Sequence, residues 1–525
     1  MRRSVVEHTA HHALDEALGS LGCRLDPDDA LFAGLHGRSF LNATALGASL
    51  ARLPFAAGEA LSLALGAAAA APPGAAPWPS PLAAAACVAQ PLRFERGGAA
   101  LGHALEREAR PLSELQVALL PDDALATTLG HAQELLRRAA GLWSRRAAIE
   151  LLYQAALTAL LRRRLPEVRR SAVLALVAGN PGMHYPALGR ALVRVARSLA
   201  HDERAAERLC SGEPCSPGEL PAGPGRSALG DFLWAYRDDC LAPFELDRPR
   251  WGEEPGEVIA MLRALVPAVA AGGGVRPQGC EAPGLARARA DGELARYEPL
   301  LSLPERGALR LLMGRSRRLA RLEPSLEPLV LRALAIMRRT VLDVDRRLRR
   351  TEPSIEPGGA WLCRAGELGR ALSTGRPELG RLIRMRAAER TRELVASPPP
   401  CFVGAPPPGP LAPAEAEPLG GLGVSPGVAE GRARLADPAT GLPARIEPGD
   451  VLVLHGAAGG LAPLCAVAGA LIIEIGGALS PACAVAREYG LAAVAGVRAA
   501  TLRLREGERV RVDGERGRVE RLEPA

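Results

Sequence analysis

The chain has 525 residues, of which 48% are hydrophobic and 23% are charged, as is usual for globular proteins with buried cores. At roughly 150 residues per domain, this length predicts several domains that need no disulfide or metal to hold them together. All 65 basic residues are arginine. A chain without lysine cannot form a Schiff base or a lysine-containing phosphate loop, which excludes those enzyme classes.

The distribution of charged residues and cysteines argues against further classes of protein. The formal net charge is +7, but the arginines are interleaved with 58 acidic residues and form no basic block. The ten cysteines are scattered without a Cys-x-x-Cys pair, as is typical of a reducing cytoplasm. The amino terminus lacks the apolar core of a signal peptide, and the most apolar segments are short and interrupted by glutamates. We therefore expect a cytoplasmic protein that binds neither nucleic acid nor a membrane.

The first hundred residues (1–100) predict a helical segment followed by a proline- and alanine-rich loop. Residues 1 to about 70 carry helical periodicity, and Ala71 to Pro81 holds too many prolines for regular structure. A polar cluster lies on the first predicted helix: His8, His11, His12 and Asp15. Such clusters are usually hydrated, so we predict a solvated surface and no metal site.

Residues 101–396 predict an all-helical region. From Glu134 to Leu165, apolar and arginine positions alternate at spacings of three and four residues, as on a half-buried helix. Further amphipathic stretches are Ala187 to Ala200, Arg306 to Leu322 and Ser325 to Arg350. We predict that the arginine runs 162–164 and 346–350 are solvated helix faces and not phosphate clamps.

The pattern changes after a proline-rich tether at residues 397–420, which favours an extended backbone. Within residues 421–525, GDVLVLHG, GALIIEIGG, LAAVAGV and RVRVDG are short β-rich runs ended by turn residues, and SPACAVAREYG lies between them as a helix. The whole chain is therefore predicted to be a multidomain α plus α/β protein. Its amino-terminal and central regions are mostly helical, and a compact α/β domain follows.

The start of the helix in this last domain is a strong local signal. Ser480 can cap the first amides, Pro481 is tolerated at the first helical position, and Gly490 can end the helix. Gly476 and Gly477 allow the backbone to approach another group closely. A helix start beside two glycines is a candidate anion site at Gly476, Gly477 and Ser480, although most capped helices bind nothing.

Four segments of the last domain carry a family resemblance: residues 421–438, 448–454, 476–497 and 507–519. They closely resemble the swivelling phosphohistidine domain of the PEP-utilising enzymes, which include PEP synthase, pyruvate phosphate dikinase and rifampin phosphotransferase. The resemblance implies a swivelling β/β/α domain. In that family the helix begins Gly-Gly-x-x-Ser-His, and the histidine carries a phosphoryl group from an ATP-grasp domain to an acceptor site. Pro481 stands at the matching position, and a proline within the chain has no nucleophilic nitrogen.

Two residues are candidates for a displaced phosphoryl carrier. Cys483 lies about half a turn along the same helix start, where the helix dipole could lower the pKa of its thiol. His455, at the end of the VLVLH strand, is the only histidine of the domain. Because small cysteines and single strand-end histidines are more often structural, we assign neither as a catalytic residue.

Weaker resemblances extend upstream. Residues 37–46, 245–255 and 357–372 are similar to the linker segments of PEP-synthase-like and rifampin-phosphotransferase-like proteins. Arg237, Asp238 and Asp239 stand where that family has Gly-His-Arg, which removes a second histidine. Because 36 residues precede the first of these segments, we expect neither an ATP-grasp domain nor, after the swivelling domain, a PEP-binding barrel.

These observations predict a degenerate PEP-synthase- or rifampin-phosphotransferase-like protein that acts as a non-catalytic binding or regulatory pseudoenzyme and holds no cofactor. The alternative is a phosphotransferase component that works with a separate ATP-grasp partner through a displaced carrier. The resemblance also implies a hydrophobic small molecule as a ligand of the helical region.

Overall fold

A computed structural model describes residues 2–21, 32–35, 38–50, 60, 63–64, 81–180, 182–271, 283–374, 379–395, 418–437, 441–456 and 458–522. The predicted loop at 71–80, most of the predicted tether, and the side chains of His8 and His11 lie outside the described residues.

Helices form the amino-terminal and central parts of the chain. They are α1 (Arg2–Ser20), α2 (Ala43–Leu50), α3 (Pro81–Glu114), α4 (Asp122–Arg164), α5 (Arg170–Ala175), α6 (His184–Ala200), α7 (Glu203–Cys210), α8 (Pro224–Ala235), α9 (Gly256–Ala270), α10 (Pro283–Tyr297), α11 (Leu303–Ala320), α12 (Glu323–Thr351), α13 (Ala365–Thr374) and α14 (Leu379–Val395). The described residues between 101 and 395 contain no strand, which confirms the predicted helical region. Every helix of the described part is too short or too polar to cross a membrane.

Two features of the first hundred residues differ from the prediction. Strands β1 (Phe32–Leu35) and β2 (Arg38–Leu41) form an antiparallel hairpin in which Phe32 pairs with Leu41, so helical structure through residue 70 is wrong here. Gly34, within β1, is consistent with this difference, because glycine is a poor helix former. Helix α3 continues across residue 100, so that position is not a break between two domains.

The carboxy-terminal domain is built on one mixed sheet of seven strands. These are β3 (Leu422–Ser425), β4 (Val428–Ala436), β5 (Val451–Gly456), β6 (Ala470–Ile475), β7 (Ala492–Ala495), β8 (Arg509–Asp513) and β9 (Arg518–Arg521), in the order β3-β7-β6-β5-β4-β8-β9. The four central strands are parallel, and β3, β8 and β9 are antiparallel. Short helices connect them: α15 (Ala462–Cys465), α16 (Pro481–Tyr489) and α17 (Ala500–Arg503). This confirms the predicted α plus α/β fold class.

The two faces of the sheet belong to different hydrophobic cores. Leu452 and Leu454 of β5 lie in the large core that also contains the central helices. Val451 and Val453 lie in a separate core on the other face, inside the carboxy-terminal domain. Because side chains alternate along a strand, β5 faces the helical region on one side and its own domain on the other. The carboxy-terminal domain therefore packs directly on the helices.

Candidate functional site

Helix α16 begins and ends where the sequence predicts. Pro481 is its first residue, and Gly490 follows it in the left-handed region with a φ of 67°. The predicted cap by Ser480 is wrong, because its hydroxyl donates to the carbonyl oxygen of Gly477 at 2.7 Å and accepts no helix amide. The turn that brings the Ser480 amide within 3.1 Å of the same carbonyl explains this choice of partner.

Gly477, the second of the two glycines before α16, lies close to the backbone of residues 63 and 64. The amide of Ala478 donates to the carbonyl of Leu63 at 2.7 Å, and a Cβ at Gly477 would overlap the carbonyl oxygen of Ala64. The amide of Ala478 and the hydroxyl of Ser480 are therefore already hydrogen-bonded within the protein. The anion site at Gly476, Gly477 and Ser480 stays a prediction.

Cys483 is fully buried in α16. Burial raises the pKa of its thiol, and the nearby charge of Arg487 and a hydrogen bond with Ser480 only partly oppose this. The expected lowering of the pKa by the helix dipole is thus wrong, because removal from water outweighs it. A buried, protonated thiol is a poor nucleophile. Pro481, two residues before Cys483, has no nucleophilic nitrogen.

His455 belongs to a small polar group near the carboxyl ends of the central strands β5 and β6. Strands β5 and β6 are parallel and in register, so His455 and Glu474 lie on the same rung. The Nδ1 atom of His455 lies 3.5 Å from Oε1 of Glu474, whose side chain is 4% exposed while that of His455 is 42% exposed. Thr501 donates to Oε2 of Glu474 from its amide at 3.0 Å and its hydroxyl at 2.5 Å.

The charge state of Glu474 follows from these contacts. Burial raises the pKa of Glu474, but the hydrogen bonds from His455 and Thr501 outweigh it, so the net shift is downward. An ionised carboxylate accepts hydrogen bonds and donates none. Nδ1 of His455 is therefore placed to donate a hydrogen bond to Glu474.

The sequence analysis treated Glu474 only as an interruption of an apolar run and did not select Thr501. A charged residue inside the buried strand ALIIEI is the signal that could have found Glu474. Thr501 lies 27 residues away and reaches Glu474 only through the fold, so no local pattern points to it.

The far end of α16 is anchored in the helical region. Oε1 of Glu488 accepts hydrogen bonds from the amides of Gly179 at 2.9 Å and Asn180 at 3.2 Å. The hydroxyl of Tyr489 donates to the carbonyl of Pro186 at 2.9 Å, and both Glu488 and Tyr489 are buried. Burial raises the pKa of Glu488, although the two amides oppose the shift. Helix α16 is therefore docked on α6 and the loop before it.

The upstream segments with a family resemblance lie in the core of the helical region. Asp239 is buried, with Oδ1 at 2.9 Å from Nε2 of the buried His184. Arg250 and Trp251 are also buried, and Arg250 donates to the carbonyl of Pro243 at 2.9 Å. The sequence analysis did not select His184, which lies 55 residues from its partner. These contacts hold Asp239 and the segment at residues 245–255 in place within the helical region.

In the described ranges, no three histidine, cysteine or acidic side chains come together as metal ligands. Of the arginine run 346–350, Arg346 and Arg347 pair with Asp343, and Arg349 pairs with Asp345. Arg346 and Arg349 are thus engaged within their own helix, and Arg347 also pairs with Asp122 of α4 at 2.6 Å.

Two regions of the chain match known protein families. Residues 446–517 match the PEP-utilising enzyme mobile domain, and residues 143–323 match the rifampicin phosphotransferase fourth domain. The first region contains His455, Pro481 and Thr501, and the second contains His184 and Asp239.

Individual relatives are similar over the carboxy-terminal domain. A rifampicin (rifampin) phosphotransferase of a Streptomyces species is 45% identical over 105 residues, which is 20% of this chain and 12% of that protein. A rifampicin phosphotransferase of Bacillus cereus is 43% identical over 107 residues, again 20% and 12%. A phosphoenolpyruvate synthase of Aeropyrum pernix is 40% identical over 99 residues, 19% of this chain and 12% of that protein. The matches thus span about an eighth of these relatives, and the chain is similar to the PEP-utilising enzyme mobile domain over residues 446–517 and to the rifampicin phosphotransferase fourth domain over residues 143–323.

Proposed function

We propose that this chain is a non-catalytic binding or regulatory relative of rifampicin phosphotransferase and phosphoenolpyruvate synthase. The observation that carries the proposal is Pro481 at the first position of α16, where the family resemblance calls for the carrier histidine. The ring nitrogen of a proline within the chain is an amide nitrogen, so it cannot attack phosphorus or hold a phosphoryl group.

The contacts of α16 support a binding role. A carrier domain has to leave one site and reach another, which requires contacts that separate easily. Here Glu488 and Tyr489 are buried against the helical region, and Leu452 and Leu454 share its core. Separating the two regions would expose this apolar surface and leave the carboxylate of Glu488 without its two amide donors.

The test is a phosphoryl-transfer assay on the full chain. The chain is incubated with ATP labelled at the β and γ positions, and in parallel with labelled phosphoenolpyruvate, each with and without separately expressed ATP-grasp proteins. A rifampicin phosphotransferase with its own carrier histidine serves as the positive control. We expect no protein-bound label on this chain, and stable label on it during turnover would overturn the proposal.

A second candidate function rests on the polar group at His455. An ATP-grasp protein acting in trans could deliver a phosphoryl group to Nε2, whose lone pair would form the N–P bond as the leaving group departs with its electron pair. Glu474 favours this reaction, because it holds the proton on Nδ1 and stabilises the charged ring.

The same assay distinguishes the two functions. If His455 is a carrier, His455→Gln abolishes the label and Glu474→Gln reduces it, while Cys483→Ala leaves it unchanged because that thiol is buried. Label that survives His455→Gln would exclude this candidate.

A further inference from the structure

A cavity of about 470 Å³ lies where the helical region meets the carboxy-terminal domain. One wall comes from the end of α4 and the start of α5, around residues 162–170. The other comes from β3 and the turn between β8 and β9, at Gly421 to Gly423 and at Glu515 and Arg516. Both regions of the molecule therefore contribute to one cleft that is open to solvent.

The charged lining of this cavity is mostly cationic. Three arginines come from the helical side and one from the sheet side, with one glutamate on each side: Arg162, Arg169, Arg170, Arg516, Glu167 and Glu515. Four guanidinium groups against two carboxylates leave a formal charge of +2. Because arginine stays protonated at every physiological pH, the cavity keeps this positive charge.

We propose that this cavity binds a small oligophosphate, for which inorganic pyrophosphate is the minimal probe. A guanidinium group matches two phosphate oxygens at once, and clustered arginines are a common way to bind phosphate groups. The volume lies within the range of small-molecule sites, so it admits a larger phosphate ester as well. A lining with so many ionised groups disfavours an uncharged or apolar ligand.

The position of the cavity gives the ligand a structural effect. An anion held by Arg169 and Arg516 would bridge the helical region and the carboxy-terminal domain. Ligand that binds only when both walls are in place stabilises the docked arrangement. This inference concerns a site away from α16 and does not depend on whether the chain transfers phosphoryl groups.

The test is titration of the full chain with inorganic pyrophosphate, followed by calorimetry and by thermal unfolding. We expect saturable binding of one pyrophosphate that raises the unfolding temperature and weakens as ionic strength increases. The Arg169→Glu/Arg516→Glu variant reverses one charge on each wall and should weaken binding by at least about tenfold, since it removes charge-assisted hydrogen bonds from both walls.

Arg163 provides the matched control. It lies in the same arginine run of α4, is exposed, and does not line the cavity. Arg163→Glu should therefore change the affinity for pyrophosphate by less than about twofold, because its side chain does not line the cavity and cannot contact the bound anion. Equal weakening by the two variants, or no saturable binding to the wild-type chain, would overturn the proposal. Tighter binding of citrate than of pyrophosphate would also overturn it, since the site would then select carboxylates.

Discussion

Pro481 and Gly189 show how single residues set what the carboxy-terminal domain can do. Proline suits the first position of α16 for two reasons. A backbone N–H at this position would have no acceptor within the helix, so its absence costs no hydrogen bond, and the fixed φ of proline is already helical. Gly189, in the middle of α6, allows Tyr489 to reach the carbonyl of Pro186. A Cβ at Gly189 would overlap the hydroxyl of Tyr489 and lie 2.9 Å from the carbonyl oxygen of Ala462. The packing of α16 on α6 therefore requires a residue without a side chain at position 189.

Gly189→Ala should lower the free energy of unfolding by about 1–3 kcal/mol, because the added methyl group overpacks a buried contact. The measurement is urea denaturation. Gly230→Ala is the matched control, since Gly230 is also within a helix but a Cβ there would meet nothing within 4 Å. We expect that control to be neutral or stabilising. Adding Tyr489→Phe should recover part of the loss, and a strictly additive double variant would contradict the proposed clash.

Helix α16 shows which parts of an element the sequence predicts and which it does not. Its start at Pro481 and its end at Gly490 follow from local signals, and both were predicted. The hydrogen-bond partner of Ser480 was not predicted, because the hydroxyl of a residue before a helix can also bond to the turn that precedes it. The pairing of Glu474 with Thr501 depends on strand register and on a later helix, so it emerges only in the folded domain. Likewise, the local dipole predicted the wrong pKa shift for Cys483, because burial is a tertiary property.

The anchoring of α16 through Glu488 predicts a pH dependence. Burial raises the pKa of folded Glu488 above its ordinary value of 4.5, so the folded protein holds this proton more tightly than the unfolded chain does. The contribution of Glu488 to stability is then fully present below about pH 4.5 and declines as the pH rises through the folded pKa. Glu488→Gln still accepts a hydrogen bond and carries no charge, so its stability relative to the wild type should increase from about pH 4.5 to pH 7.

Urea denaturation across this pH range provides the measurement. Glu207→Gln is the control, because it removes a charge of the same sign from an exposed position. We expect the control to show no such relative gain. A Glu488→Gln variant that loses stability relative to the wild type as the pH rises would show that the carboxylate is better stabilised when charged.

On the scale of the whole molecule, the helical region and the carboxy-terminal domain share one large core. That core contains residues from α4, α6, α9 and α12 together with Leu452, Leu454 and Val485. The sequence predicted both regions as separate units joined by a tether, since composition and periodicity change between them. It could not predict their contact, because the apolar face of β5 and β6 is equally suited to a core within its own domain.

We expect the two regions to unfold together, because exposing the shared core costs free energy in both. Differential scanning calorimetry of the full chain should show one endotherm whose calorimetric and van't Hoff enthalpies agree. Two separate endotherms would contradict this coupling. Leu454→Ala should lower the temperature of the single transition, since it leaves a cavity in the shared core.

Adjacent residues of β5 lie in two different cores. One of them stabilises the carboxy-terminal domain itself, and the next stabilises its contact with the helical region. Val453 supports the interior of the carboxy-terminal domain, and Leu454 supports its attachment to the helices. A change at one position can therefore loosen the attachment while the neighbouring side chain continues to hold the sheet together.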